Sequence, residues 1–219
     1  MTLIRIAALC AAMVWALPAA AQDAPPKREA LRVCQDPNNL PFSNTSAQGI
    51  ENRIAEVFGK ALGLPVTYYS FPQRMNFIRN TLRYKLPGQD FPCDIVMGVP
   101  SGFDQVSVTK PYYRSTYAIV FAQGKGMDQV RSGQDFLQLD RAMLSKLRIG
   151  LYDRSPASDW LSKHGLVDSG VPYPMMSADP KQYPGEIIER DLAAGKIDAA
   201  IVWGPIAGYF AKRVTSPAL

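Results

Sequence analysis

Strand-like and helix-like segments alternate along this chain in two successive series, and this alternation limits the fold more than any other feature. The first series has apolar strands at 31–34, 66–69 and 94–98, with helices at 50–62 and around 75–82. The second has strands at 147–152 and 197–203, an extended piece at 171–175, and helices at 156–164, 186–194 and 205–212. Each series predicts a small parallel sheet covered by helices, so we expect an α/β protein with two lobes.

The residues between the two series predict a connection between the lobes. Residues 115–122 are rich in β-formers and lead into a polar stretch with Gly124 and Gly126, which is typical of a hinge strand followed by a loop. We therefore place lobe 1 at 31–117 and lobe 2 at 118–219.

The first 30 residues have the composition of an export signal and a flexible leader. The apolar run from Ile6 to Leu17 is followed by small residues, which predicts a signal peptide at 1–21 cleaved after Ala21. The run is too short for a permanent transmembrane helix, and the leader, 22–30, is polar and contains two prolines. We expect an exported chain with no membrane span after cleavage. The formal net charge is +5 for the full chain and +4 after Arg5 is removed with the signal peptide. This charge is spread along the chain, and a nucleic-acid partner is not expected in that compartment.

Cys34 and Cys93 are the cysteines that remain after signal cleavage, and an oxidising compartment favours a disulfide between them. Cys34 ends its strand whereas Cys93 precedes its own, so the two could also lie beyond bridging distance. Two buried, unpaired thiols are the alternative.

Groups for catalysis or metal binding are scarce in this sequence. His164, the sole histidine, lies in the last turn of a predicted helix just before Gly165, where it is suited to capping the helix end. With one histidine and a cysteine pair, a zinc or copper ligand set cannot be assembled at ordinary spacing. An enzyme on this scaffold would need a cleft acid or base, for which Asp36 and Asp153 are the candidates. We expect a binding protein without metal or cofactor.

The loops after the predicted strands carry the features of a binding site. Strand 94–98 opens into a small-residue loop, 99–103, as strands do where an open parallel sheet meets its ligand. Two predicted helices begin after Ser155 and Gly204, each with a proline at the first helical position. Their free N–H groups would suit an anion or a carbonyl oxygen, whereas ordinary caps in contact with water are the alternative.

Aromatic and polar residues in these loops predict the walls of a cleft between the lobes. The candidate binding residues are Asp36, Asn38, Phe42, Gln73, Arg74, Pro100, Ser101, Tyr112, Tyr152, Arg154, Ser155, Trp203 and Gly204. Packing at a lobe interface is the alternative explanation for the tyrosines.

Several runs of residues resemble a known family. The order of these residues along the chain is similar to that in the family 3 extracellular solute-binding proteins of ABC importers. A narrower set of runs resembles the periplasmic binding proteins encoded beside PQQ-dependent methanol dehydrogenases. Those runs are 34–44 (CQDPNNLPFSN), 71–74 (FPQR), 77–82 (FIRNTL), 97–102 (MGVPSG) and 201–210 (IVWGPIAGYF).

This resemblance implies a two-lobe periplasmic binding protein of the class II type, located in the periplasm and monomeric. It also implies an accessory role, in which the cleft binds a segment of a quinoprotein alcohol dehydrogenase that oxidises methanol. The alternative is the substrate-binding component of an ABC importer, with a permease and a small solute as partners. In this fold a return segment normally completes the first lobe's sheet, and we expect that segment to be missing.

Departures from the amino-acid binders of the same family argue against a free amino acid as ligand. Those proteins typically hold the substrate carboxylate with an arginine after the third strand and its ammonium group with an acid after the late strand of lobe 2. Residues 100–105 contain no arginine, and 202–204 contain no acid. The missing charge-assisted hydrogen bonds would each be worth about 1.5 to 3 kcal/mol.

Overall fold

The computed structural model describes residues 28–73, 76–175, 179 and 181–219. The predicted signal peptide, 1–21, and residues 22–27 of the predicted leader lie outside this part of the chain, as does Arg74. Arg28, at the end of the predicted leader, forms an ion pair with Asp94, with 2.7 Å between the charged groups.

Lobe 1 is built on a three-stranded parallel sheet. Its elements are β1 (Leu31–Gln35), a short antiparallel hairpin of β2 (Asn38–Asn39) and β3 (Ser43–Asn44), α1 (Ile50–Leu62), β4 (Val66–Ser70), α2 (Phe77–Asn80) and β5 (Ile95–Val96). The sheet order is β4-β1-β5, and Val33 of β1 pairs with Tyr68 on one side and Ile95 on the other. The carboxyl ends of all three strands therefore meet at one edge of the sheet.

Helix α1 packs on this sheet through small and polar residues. Asn52, Ala55 and Gly59 are buried, whereas Val57 is 68% exposed. Of the other bulky residues of the predicted apolar face, Ile50, Phe58 and Leu62 are also exposed and Ile54 is half-buried. Asn52 can be buried because its side-chain amide donates to Gln35 Oε1 at 2.7 Å and its oxygen accepts from the Gly49 N–H at 3.0 Å. Gly63, with a φ of 67°, ends the helix as predicted.

Two elements of lobe 1 are shorter than the sequence predicts. The helix expected around 75–82 is reduced to Phe77–Asn80, and the strand expected at 94–98 to Ile95–Val96. Strand β5 pairs only with β1 among the described residues, through Val33 and Cys34, so its ladder is two residues long.

Lobe 2 contains a mixed four-stranded sheet in the order β6-β9-β7-β8. Its elements are β6 (Tyr117–Phe121), α3 (Gly133–Leu137), α4 (Arg141–Leu144), β7 (Ile149–Tyr152), α5 (Pro156–Lys163), a 3₁₀ turn (Val167–Ser169), β8 (Gly170–Tyr173), a π-helix (Ile187–Leu192), β9 (Ala199–Trp203) and α6 (Gly204–Arg213). β6 runs antiparallel to β9, and the other pairs are parallel. The predicted division at residue 117 stays a prediction.

Hydrophobic cores cover both faces of this second sheet. One contains Phe136, Ile149 and Leu161, and the other contains Ile187 and residues of β9 and α6. The helix predicted at 186–194 is the π-helix. The sequence analysis missed α3 and α4, whose N-cap side chains, Ser132 and Asp140, each accept a hydrogen bond from the first turn.

The two lobes are joined by the loop that follows β1. Phe42 of this loop is 5% exposed and belongs to the core of lobe 2, together with residues of β9 and α6. Asn38 Nδ2 donates a hydrogen bond to the Lys181 carbonyl oxygen at 3.2 Å. Lobe 1 is therefore anchored on lobe 2 beside the carboxyl ends of both sheets.

The disulfide between Cys34 and Cys93 is present, with 5.4 Å between the two Cα atoms. The positions of the two cysteines relative to their strands do not keep them apart. The Asp94 N–H donates to the Arg32 carbonyl, and this hydrogen bond brings Cys93 beside β1. None of the described helices is long and apolar enough to cross a membrane.

Candidate functional site

A cavity of about 340 Å³ lies between the lobes at the carboxyl ends of their strands. Lobe 1 contributes the loop after β1, the first turn of α1 and the residues after β5. Lobe 2 contributes the ends of β7 and β9 and the segment before the π-helix. The cavity thus occupies the position at which open α/β sheets bind ligands.

Stacked aromatic rings cross from one lobe to the other beside this cavity. The rings of Phe42 and Trp203 lie 5.0 Å apart at an angle of 20°. Trp203 in turn stacks on Tyr113 at 6.0 Å, and Tyr113 contacts Tyr112 at 5.3 Å. These rings form an apolar wall that can contact flat or aliphatic groups.

The carboxylate of Asp36 is held in place at the start of the loop after β1. Its two oxygens accept hydrogen bonds from the N–H groups of Asn38 and Gln73. Asn39 Nδ2 also donates to Gln73 Oε1 at 2.9 Å, which ties the two loops together. Asp36 is thereby held as a rigid acceptor that faces the cavity.

Glu51 is the second carboxyl group of lobe 1 in the cavity, and it has no hydrogen-bond or ion-pair partner among the described residues. Its side chain lies against the backbone of Gly98, where a Cβ atom would overlap Glu51 Oε1. Burial, and secondarily the nearby charge of Asp36, raise the pKa of Glu51 to about 7. A carboxyl group in this state can accept a cation or share a proton with a ligand.

Tyr152 closes the opposite side of the cavity. Its hydroxyl donates to the Pro184 carbonyl at 2.7 Å and so holds the segment before the π-helix in place. Burial, together with the nearby Glu186, raises the pKa of Tyr152, so the hydroxyl stays protonated at neutral pH.

A second cavity, of about 500 Å³, runs along β5 on the side away from β1. It is mostly apolar and is lined by Ile95 and Val96 of β5, Phe58 of α1, and Val108 and Tyr113 of the segment that follows. The two cavities share four lining residues, which are Met97, Gly98, Tyr117 and Trp203. They form two chambers of one site.

The structure brings most of the predicted site residues together in these two chambers. Asp36, Asn38, Phe42, Gln73, Tyr152 and Trp203 line the cavity between the lobes. Pro100, Ser101, Tyr112 and again Trp203 line the cavity along β5. Arg74 lies outside the described residues.

Three predicted site residues lie outside both cavities, namely Arg154, Gly204 and Ser155. The side chain of Arg154 is 87% exposed and its charged group is 3.7 Å from Asp153. The Gly204 N–H donates to the Thr116 carbonyl at 2.7 Å, so it is not free for a ligand. Helix α6 in fact begins at Gly204 with Trp203 as its N-cap, one residue earlier than predicted.

Ser155 is the N-cap of α5, as predicted, but its side chain makes no capping hydrogen bond. The residue is buried and its hydroxyl has no hydrogen-bond partner among the described residues. The Tyr117 hydroxyl lies near the Ser155 hydroxyl, but the two are outside hydrogen-bonding geometry.

The sequence analysis missed Glu51, Tyr117 and Tyr183 as cavity residues. An acid in the first turn of a helix ordinarily complements the helix dipole, so Glu51 gave no separate signal. Among the described residues, no three His, Cys, Asp or Glu side chains are grouped so as to hold a metal ion.

Comparison with known proteins identifies the family. No family model matches the chain. Among solved structures, it is similar to the periplasmic binding protein XoxJ from Methylobacterium extorquens AM1, with 36% identity and a TM-score of 0.63 over 86% of this chain and 74% of XoxJ. The chain belongs to the XoxJ family of periplasmic binding proteins. This membership confirms the resemblance and the two-lobe α/β fold expected from the sequence.

Two other relatives of this chain are less similar to it in sequence. MxaJ from Methlophaga aminisulfidivorans MPT has 21% identity and a TM-score of 0.64 over 86% of this chain and 75% of MxaJ, which shows the shared fold. Protein MoxJ of Paracoccus denitrificans is 26% identical over 195 residues, or 85% of this chain. The chain spans 66% of the length of MoxJ, about two thirds of that relative.

Proposed function

We propose that this chain is an accessory protein of a quinoprotein methanol dehydrogenase in the periplasm and that its cleft binds a segment of that enzyme. Membership of the XoxJ family supports a binding role. The resemblance of runs such as 34–44 and 201–210 to binding proteins encoded beside such dehydrogenases supports the choice of partner. The proposed role is binding without catalysis.

The observation that carries the proposal is the charge of the site. No lysine, arginine or histidine is found among the described residues that line the cavity between the lobes. The carboxylate of a free amino acid would therefore find no basic partner among these described residues, at the cost of a charge-assisted hydrogen bond. An internal peptide segment has no such carboxylate, and the aromatic wall of Phe42, Trp203 and Tyr113 suits its side chains.

Binding to the purified dehydrogenase tests this proposal. Tyr113 is 41% exposed in the wall of the apolar chamber, and Tyr84 is similarly exposed, at 38%, outside both cavities. We expect Tyr113→Ala to weaken the affinity by about tenfold, because it removes an aromatic contact at the centre of the site. Tyr84→Ala is the matched control and should bind as the wild type does. Equal affinities for all three proteins, measured by biolayer interferometry, would contradict the proposal.

An importer receptor for a small solute is the second candidate. The volume of about 340 Å³ between the lobes is in the range of small-molecule sites and favours it. Native mass spectrometry of the protein purified from periplasm distinguishes the two functions. A stoichiometric metabolite supports the importer, and a protein free of metabolite that binds the dehydrogenase supports the accessory role.

A further inference from the structure

The loop between β7 and α5, residues 153–155, lies at the rim of the cavity between the lobes. Tyr152, directly before this loop, lines the cavity. The carboxylate of Asp153 accepts a hydrogen bond at 2.8 Å from the N–H of Met175, which also lines the cavity. Arg154 therefore lies beside the opening of the cavity, although it is not one of the residues that line it.

The conformation of this loop is unfavourable at two adjacent residues. Arg154 has a φ of 53°, in the left-handed region, which an arginine adopts only at a cost in free energy. The Ser155 hydroxyl is buried without a hydrogen-bond partner among the described residues, and this also costs free energy. The start of the loop is nevertheless held, because the Asp153 N–H donates to the Tyr173 carbonyl at 2.9 Å. Strained loops that their surroundings hold in place are concentrated at functional sites.

The guanidinium group of Arg154 is free to contact another molecule. Its side chain is 87% exposed, and Asp153, at 3.7 Å, is its one ion-pair partner among the described residues. An exposed pair at this distance contributes little to stability. By contrast, Arg32 and Arg148 each pair with an acid of their own lobe, at 2.7 and 2.8 Å respectively. The N–H groups of Arg154 are thus available to a carboxylate from outside the chain.

We propose that Arg154 is a docking residue at the rim of the cleft and that its guanidinium group pairs with an acidic side chain of the dehydrogenase, next to the segment that the cleft binds. This inference rests on the proposed function for the identity of the partner. It adds the residue that guides the association and the chemical class of its contact, a carboxylate. The left-handed backbone turns the side chain out into solvent, where a docking protein meets it.

Two variants at this position separate the effect of the charge from that of the backbone. Arg154→Asn removes the charge, and asparagine tolerates the left-handed region, so this variant should unfold at a higher urea concentration than the wild type. A charge at the rim of an interface acts mainly on the association rate and its salt dependence. By biolayer interferometry at low salt, Arg154→Asn should associate with the purified dehydrogenase about threefold more slowly, and added salt should slow it less than the wild type. Arg154→Lys keeps both the charge and the strain and should match the wild type in both measurements.

A control at a distant arginine completes the test. Arg141→Gln removes an exposed arginine of α4 that lies outside both cavities, and it should associate as the wild type does. Any of three results would overturn the inference and leave the proposed function intact: association of Arg154→Asn at the rate of the wild type, an equal loss of rate in Arg154→Lys or Arg141→Gln, or no gain of stability in Arg154→Asn. A wild type that does not bind the dehydrogenase would instead overturn the proposed function, and this inference with it.

Discussion

The carboxyl group of Glu51 lies where both its surroundings and its neighbour disfavour the charged form. Burial and Asp36 raise its pKa from 4.5 to about 7. In the unfolded chain the group titrates near 4.5, so the folded state binds the proton more tightly between these two values. The protein consequently loses stability as the pH rises through this window, and the loss is complete above about pH 7.

Replacing this carboxyl group by an amide should remove the loss. We expect Glu51→Gln to be more stable than the wild type by roughly 1–3 kcal/mol at about pH 8, and equally stable at about pH 4, where the carboxyl group is protonated in both states. Urea unfolding at the two pH values measures the difference. Glu56→Gln is the control, because it removes an exposed carboxylate of the same helix that pairs with Arg53, and it should not be more stable than the wild type at about pH 8. Identical stability of Glu51→Gln and the wild type at the higher pH would contradict the burial of a charge at this position.

At the scale of elements, the helices were predicted more completely than the contacts they make. The boundaries of α1 could be predicted from Gly63 and from the helical spacing of its apolar residues. Its buried face could not be predicted in this way. Bulky residues predicted a packing face, whereas the close approach of α1 to β4 requires Gly59 and Ala55. The hydrogen bonds that permit the burial of Asn52 come from Gln35 and Gly49, and such pairing is not visible in a sequence pattern.

The candidate site shows the same limit. Phe42 and Trp203 could be predicted because Phe42 lies in the loop after β1 and Trp203 ends β9, and the carboxyl ends of both strands face the cleft. The roles of Glu51 and Arg154 could not, since they depend on side-chain direction. Arg154 has a φ of 53° and its side chain extends into solvent.

Two helical glycines should respond to alanine with opposite signs. A Cβ at Gly59 of α1 would lie 2.9 Å from the Leu64 carbonyl oxygen, so Gly59→Ala should destabilise the protein by about 1–3 kcal/mol. Gly208 of α6 is exposed and a Cβ there would meet nothing within 4 Å. Gly208→Ala should therefore stabilise by about 0.5–1 kcal/mol through helix propensity. Chemical denaturation of both variants checks the signs, and stabilisation by Gly59→Ala would show that α1 lies farther from β4.

At the scale of the whole molecule, the lobes are coupled through one loop and a stack of rings. Phe42 leaves lobe 1 and packs in the core of lobe 2, where it stacks on Trp203. This contact sets the separation of the walls that form the cleft. The geometry of the site thus depends on a residue that belongs to the core as much as to the cavity.

Removing the Phe42 ring should loosen the lobes as well as lower stability. We expect Phe42→Ala to cost about 3 kcal/mol and to increase the radius of gyration measured by X-ray scattering. Phe136→Ala is the matched control, because Phe136 is fully buried within lobe 2 alone. It should cost a similar amount without expanding the molecule. Equal radii for the two variants would show that Phe42 does not hold the lobes together.

Photocrosslinking gives the most direct test that the cleft binds a segment of the dehydrogenase. A photoreactive phenylalanine analogue is placed at Tyr113, in the wall of the apolar chamber, and separately at Tyr84, outside both cavities. Each protein is then irradiated with the dehydrogenase. The account predicts a covalent adduct from position 113 that maps to one segment of the enzyme, and none from position 84. Adducts from position 84 alone, or equal adducts from both positions, would contradict it.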